Sequence, residues 1–185
     1  MQTTYTGPPL DDMALLDRLP EDLGSILRLE NGWIRFDGGL HLRGACREPS
    51  WHSLRVAWEG PQSFSALYPE VGPGDIPFAE ECLGDQFLLR NGSVIRLTAG
   101  LGDVEELGVT LLQFLERVKA DPVNFLGLHP LLRFQSEGGR LAPGQLLSAY
   151  PPYWTAEAED GVSLRAVTAH DLHCALADMA RQLRD

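Results

Sequence analysis

The stretch IPFAEECLGDQFLLRNGSVIRL, residues 76–97, decides the fold. It holds two apolar β-runs, Gln86 to Leu89 and Val94 to Leu97, joined through Arg90-Asn91-Gly92-Ser93. Asn-Gly between two such runs predicts a tight hairpin, because both residues tolerate the positive φ that the turn requires. Gly84-Asp85 opens the first strand, and the acidic pair Glu80 and Glu81 lies just before it. The expectation is a hairpin at the centre of a sheet, with the chemistry of a binding surface.

Working back toward the N-terminus, Gly72-Pro73-Gly74 is a loop, and 48–68 carries apolar mass on short helices broken at Gly60-Pro61. Trp33 to Phe36 and Leu40 to Arg43 flank Asp37-Gly38-Gly39 as a first hairpin, which should put Trp33 and Phe36 on opposite faces. Pro20 suits the start of a helix, with Glu21 and Asp22 against the positive end of its dipole. Leu23, Ile26 and Leu27 form its buried stripe and Asn31-Gly32 stops it. Asp11 caps a shorter helix before it, and residues 1–9 read as a loose arm.

Downstream, 100–107 reads as a turn and a short strand, and Thr110 with Gln113 makes a capping box for a helix ending at Asp121-Pro122. The segment 123–134 is apolar and irregular. Pro143-Gly144 leads into Gln145 to Ser148, Tyr150-Pro151-Pro152-Tyr153-Trp154 reads as extended and 157–161 as solvated, and Ser163 to Val167 reads as a strand. Thr168 caps a last helix that carries Leu172, Leu176, Met179 and Leu183 on one side. Strands and helices do not alternate regularly, so the pattern predicts a single α+β domain with a largely antiparallel central sheet flanked by helices.

At 185 residues with a formal charge of −11, the chain needs neither disulfide nor metal to bury a core, and its charge repels phosphate backbones. Nucleic acid is therefore excluded as the main partner, and a basic protein is favoured. Ten acids against four bases fall within 69–121, the segment that holds the hairpin. No apolar run approaches membrane-spanning length and no basic-then-apolar leader is present, so the expected location is cytoplasmic, without membrane contact. Cys46, Cys82 and Cys174 are odd in number and widely spaced, as reduced thiols would be.

Catalytic and metal chemistry are poorly supplied. His170, His173 and Cys174 are the best metal candidates, since positions three and four apart share a helical face, but further ligands would have to come from His41, His52 or His129. An amphipathic helix with exposed histidines explains the same residues, so no metal or other cofactor is assigned. Acids beside Cys82 raise a thiol pKa, which disfavours a cysteine nucleophile. There is no G-x-S-x-G elbow, and neither Gly72-Pro73-Gly74 nor Gly100-Leu101-Gly102 continues as a phosphate-binding loop. The four tryptophans read mostly as core.

Three segments together resemble the SUKH superfamily, the Smi/Knr cell-wall-regulator family. They are Leu19-Pro20-Glu21-Asp22-Leu23 with Asn31-Gly32, then Ile76-Pro77-Phe78-Ala79 with Gly84-Asp85-Gln86-Phe87, and Thr110 to Leu115. The resemblance runs from about Leu19 to Val118. It departs from the family pattern at Glu80-Glu81-Cys82, where members often place Asp, and leaves 122–185 as a C-terminal extension on the same core. It implies an α+β domain without catalysis and, in bacteria, an immunity protein of a toxin–antitoxin pair that neutralises a nuclease-type toxin by stoichiometric binding. Charge and resemblance together name Glu80, Glu81, Asp85, Asp103, Glu105 and Glu106 as the partner-binding acids. The alternative is a regulatory scaffold that recruits host proteins. Oligomeric state is not legible.

Overall fold

The computed structural model describes residues 3–184 and is built on a seven-stranded sheet in which each strand pairs antiparallel with its sequence neighbour. The strands are Thr3–Thr6 (β1), Trp33–Arg35 (β2), Leu40–Leu42 (β3), Ile76–Glu81 (β4), Gln86–Arg90 (β5), Ser93–Thr98 (β6) and Asp103–Glu106 (β7). Gln145–Tyr150 (β8) and Ser163–Thr168 (β9) form a separate antiparallel pair. The helices are Met13–Leu16 (α1), Glu21–Leu29 (α2), Leu54–Trp58 (α3), Phe64–Leu67 (α4), Leu111–Ala120 (α5), Pro122–Leu126 (α6), His129–Ser136 (α7) and Ala169–Arg184 (α8). This is a single α+β domain. No helix among the described residues is long and apolar enough to cross a membrane.

The Asn91-Gly92 turn forms as its chemistry demands, with φ of +52° and +83° at its two central residues. The strand order, however, places β4 at the middle of the sheet and the hairpin β5–β6 to one side. Pro77 explains why Ile76–Glu81 reads as a lead-in when it is the central strand: proline has no N–H for a ladder and is normally excluded there. It is accommodated at a bulge, since Ile76 lies opposite Leu89 while Ala79 lies opposite Phe87. The extra residue lets Ile76, Phe78 and Ala79 all enter one core, which strict alternation forbids.

The sheet is covered on both faces. On the first, Phe78, Phe87 and Leu89 pack with Leu16, Leu23 and Leu27 of α1 and α2, with Phe114 of α5, and with Leu126 and Leu131 of α6 and α7. On the second, Leu88, Ile95 and Leu97 meet Phe64, Leu146 and the α8 residues Leu172 and Leu176. Residues after Pro122 therefore contribute to both cores. The Thr110–Gln113 capping box is complete, and Thr168 Oγ1 accepts from the Asp171 N–H at the start of α8.

Several expectations are corrected. Residues 3–6, assigned to a loose arm, are the edge strand β1; Met1 and Gln2 of that arm lie outside the described residues. The cap of α1 is Asp12, whose Oδ1 accepts from the Leu15 N–H, and not Asp11. Phe36 takes a left-handed φ of +58°, so it joins the same core as Trp33 and does not face the other way. The irregular stretch 123–134 is two helices, α6 capped by Asp121 and α7 separated from it by a left-handed Gly127. Both are too short to show a helical period. Pro151–Trp154 turns after β8 instead of running extended, and the Trp154 ring lies on Gly100, where a Cβ would stand 2.0 Å from it.

Phe114 is fully buried, with ring centroids 5.5 Å from Phe78, 4.7 Å from Phe87 and 5.6 Å from Phe125. Phe114→Ala should lower the unfolding free energy by about 3–5 kcal/mol in urea titration, because the cavity spans helix and sheet.

Candidate functional site

Register aligns Ile34, His41, Glu80, Gln86 and Leu97 as successive neighbours across β2 to β6. Neighbours in register share a face, so three polar residues interrupt an apolar row on the side that α8 covers. Glu80 is the hub. Its Oε1 accepts from His41 Nδ1 at 2.8 Å, and its Oε2 accepts from Arg43 Nη2 at 2.7 Å, Gln86 Nε2 at 3.1 Å and His173 Nε2 at 2.7 Å. Only 1% of the Glu80 side chain and 2% of the Arg43 side chain are exposed. Burial is the largest influence on this carboxyl and opposes its ionisation. Arg43, His173 and the hydrogen bonds together overcome it and hold the group well below the usual carboxylate range.

The donors are themselves fixed. Arg43 Nη1 donates to the Pro77 carbonyl at 2.9 Å, and its Nη2 also reaches Gln86 Oε1 at 2.8 Å. His41 Nε2 lies 2.8 Å from His52 Nδ1, and His52 Nε2 donates to the Asn31 carbonyl at 2.9 Å. Burial, with His41 beside it, pushes His52 down to about 4. Asn31 closes the chain by accepting the Ala45 N–H on Oδ1 and donating to the Pro8 carbonyl. Tyr5 and Trp51 cover the histidines, with centroids 5.1 Å from Tyr5 to His52 and 5.4 Å from Trp51 to His41.

Glu81 points to the opposite face and serves the turn. Its oxygens accept the Leu83 and Asp85 N–H groups, each at 3.0 Å, and burial with the nearby Asp85 pushes it up to about 8. Asp85 is held by Arg96 Nη2 at 2.7 Å and accepts the Ala99 N–H at 3.0 Å.

The six acids named for partner binding therefore separate. Glu80 and Glu81 are buried and Asp85 is paired with Arg96, so these three do not form the expected acidic face; their carboxyl groups are directed inward. Asp103, Glu105 and Glu106 are exposed on β7, the last strand of the sheet, and none has a salt-bridge partner among the described residues. The metal candidates separate too. His173 is turned to Glu80, His170 Nε2 and Cys174 Sγ remain 3.9 Å apart, and no group of three ligands converges among the described residues. His41 and His52 belong to the buried chain and His129 is exposed on α7. Cys82 is buried and pushed well above the usual thiol range by burial and Glu81. Trp33 is buried, while Trp154 is 42% exposed.

Arg43, His41, His52 and Gln86 were not singled out as a unit. The available signal was that His41, Arg43 and Glu80 each stand beside apolar residues within strand-like runs. Over this network opens a cleft of about 160 Å³ between α3, α4 and the start of α8, with Arg43 and His173 in its lining and Trp51 and Phe64 among its walls.

Glu80→Ala leaves the Arg43 guanidinium buried without its counter-ion and should cost about 3–5 kcal/mol in urea unfolding. A second measurement concerns Glu81, whose folded carboxyl titrates near 8 against an ordinary 4.5. The folded state holds the additional proton between these values, so this contribution is complete below the lower value. It is lost as pH rises through the upper one, with a slope of up to ~1.4 kcal/mol per pH unit. Burial is the larger cause of the shift and Asp85 the second, so Asp85→Asn should lower the upper value and shorten the pH range over which stability falls.

Compared with protein-family models, with curated proteins and with solved structures, the chain finds no match.

Proposed function

We propose that the chain is a non-catalytic binding protein of the SUKH kind, an immunity protein that occupies a basic, nuclease-type toxin domain in the cytoplasm of the producing cell. The observation that carries this reading is the placement of Asp103, Glu105 and Glu106 on a terminal strand, exposed and without salt-bridge partners among the described residues. Register sets Asp103 opposite Thr98 and Glu105 opposite Arg96, with Glu106 opposite Ile95. Asp103 and Glu105 therefore lean to one face and Glu106 to the other, giving the strand negative charge on both sides. A basic surface approaching a chain of net charge −11 is accelerated over the whole encounter, and free carboxylates on an edge give it a place to settle. The inward-directed roles of Glu80 and Glu81 support the non-catalytic part of the reading.

Co-expression with a toxin domain encoded beside it tests the proposal, scored by survival. Replacing the three acids by lysine (Asp103→Lys, Glu105→Lys, Glu106→Lys) should slow association by about 10- to 100-fold at low ionic strength. Stability should change by no more than about 0.5 kcal/mol per exposed site. Unchanged protection and association rate would remove the β7 face as the interface. Absence of protection by the wild-type chain would remove the immunity reading itself.

A further inference from the structure

Hydrogen counting across the histidine chain gives a charge that the composition does not show. The Asn31 carbonyl only accepts, so His52 Nε2 carries a hydrogen. Between that carbonyl and Glu80 lie three short contacts, at 2.9, 2.8 and 2.8 Å, and each needs one hydrogen. Two neutral imidazoles supply two. With only two, His41 Nδ1 and Glu80 Oε1 would face each other lone pair to lone pair. The chain therefore holds one proton more than two neutral histidines and a carboxylate. Burial lowers both imidazoles and Arg43 and His173 hold Glu80 low, so it is the short His41–Glu80 contact that retains the proton between Nδ1 and Oε1; with it, Arg43, Glu80, His41 and His52 together carry a net charge of about +1 when His173 is neutral.

Among the described residues Glu80 is the one carboxylate paired with Arg43, His41 or His173, and it is also the one carboxylate among the main influences on His41 and His52. The cluster reaches open space at the cleft, through His173 and the edge of Arg43. His173 gives its Nε2 hydrogen to Glu80, which leaves Nδ1 as a bare acceptor without a partner among the described residues, so the free donors here are those of Arg43. Arg43 has five N–H groups, and three of them have acceptors among the described residues. The remaining wall is apolar: Phe64 lies under the guanidinium at 5.3 Å and edge-on to His173 at 5.2 Å, with Trp51 and Val56 beside it. At about 160 Å³ the cleft is smaller than the roughly 300–1,000 Å³ pockets that take drug-sized molecules.

From the buried positive charge and this lining, we infer that the cleft binds a small organic carboxylate with an aromatic or apolar body. Its carboxylate accepts from the two Arg43 N–H groups that have no acceptor among the described residues, and its body lies between Trp51 and Phe64. The inference is independent of the protein-binding reading, which concerns β7.

Benzoate, benzyl alcohol and inorganic phosphate are the probes, titrated to about 10 mM into the uniformly ¹⁵N-labelled full chain and followed by NMR. Benzoate should give saturable shifts at Phe64, His173 and Cys174, and benzyl alcohol should bind at least about tenfold more weakly, the loss of one charge-assisted hydrogen bond. Val56→Trp blocks the cleft from a side chain that is 38% exposed and leaves the buried cluster untouched, so it should abolish the shifts in a folded protein. The same samples report the imidazole N–H groups, of which the geometry requires three on the three contacts, whether shared with Glu80 or held entirely by the rings. A bare His41 Nδ1 facing an ionised Glu80 would remove the charge on which the inference stands. Absence of saturable shifts at the cleft, equal binding of benzyl alcohol, or phosphate binding as tightly as benzoate would each overturn it.

Discussion

One carboxylate with four donors organises the molecule. Glu80 stands on the central strand, and its partners come from β3, from the residue just past it, from β5 and from α8. A buried carboxylate is tolerated only where its lone pairs are met, so these elements cannot separate one at a time without exposing the others to a large desolvation cost. The last helix thereby becomes a component of the sheet's polar interior as well as a cover for its apolar residues. Apolar packing supplies the bulk of the attraction on both faces, but it is non-directional. The Glu80 network fixes which residues of β3, β4 and β5 lie abreast.

The division between motif and surface follows from the same constraint. Glu80, Glu81 and Asp85 lie within the segment that resembles a family centre, and their roles here are structural: one holds the interior, one ties the turn, one anchors Arg96. A segment can thus mark a fold by its acids while leaving partner contact to residues elsewhere. Asp103, Glu105 and Glu106 lie outside that tight spacing and have no such internal duty.

What the sequence made legible was local. Asn91-Gly92 needs only two residues to declare a turn, and Thr110 with Gln113 needs four to declare a helix start. Strand β4 was hidden because Pro77 and two adjacent glutamates argue against a central strand, and only the bulge reconciles them. The separation of Glu80 from Glu81 follows from strand alternation once β4 is known, which sends neighbours in sequence to opposite faces. Helical spacing groups His173 with His170 and Cys174, and all three line one cleft, but the His173 Nε2 is turned to Glu80, a partner on another element. The network as a whole joins residues up to 93 positions apart. No local pattern carries such a juxtaposition.

The acids of β7 also bear on how this chain meets a second copy of itself. As the terminal strand, β7 has no strand partner on its outer side among the described residues, and bare strand edges are templates for unwanted pairing. Antiparallel pairing of two such edges would bring carboxylates of both copies within a few residues of one another, at a net charge of −11 per chain. Repulsion of that kind weakens with screening and vanishes with protonation. The protein is thus protected against edge-to-edge self-association by a solvent condition as much as by its shape, and that protection fades in acid or at high salt.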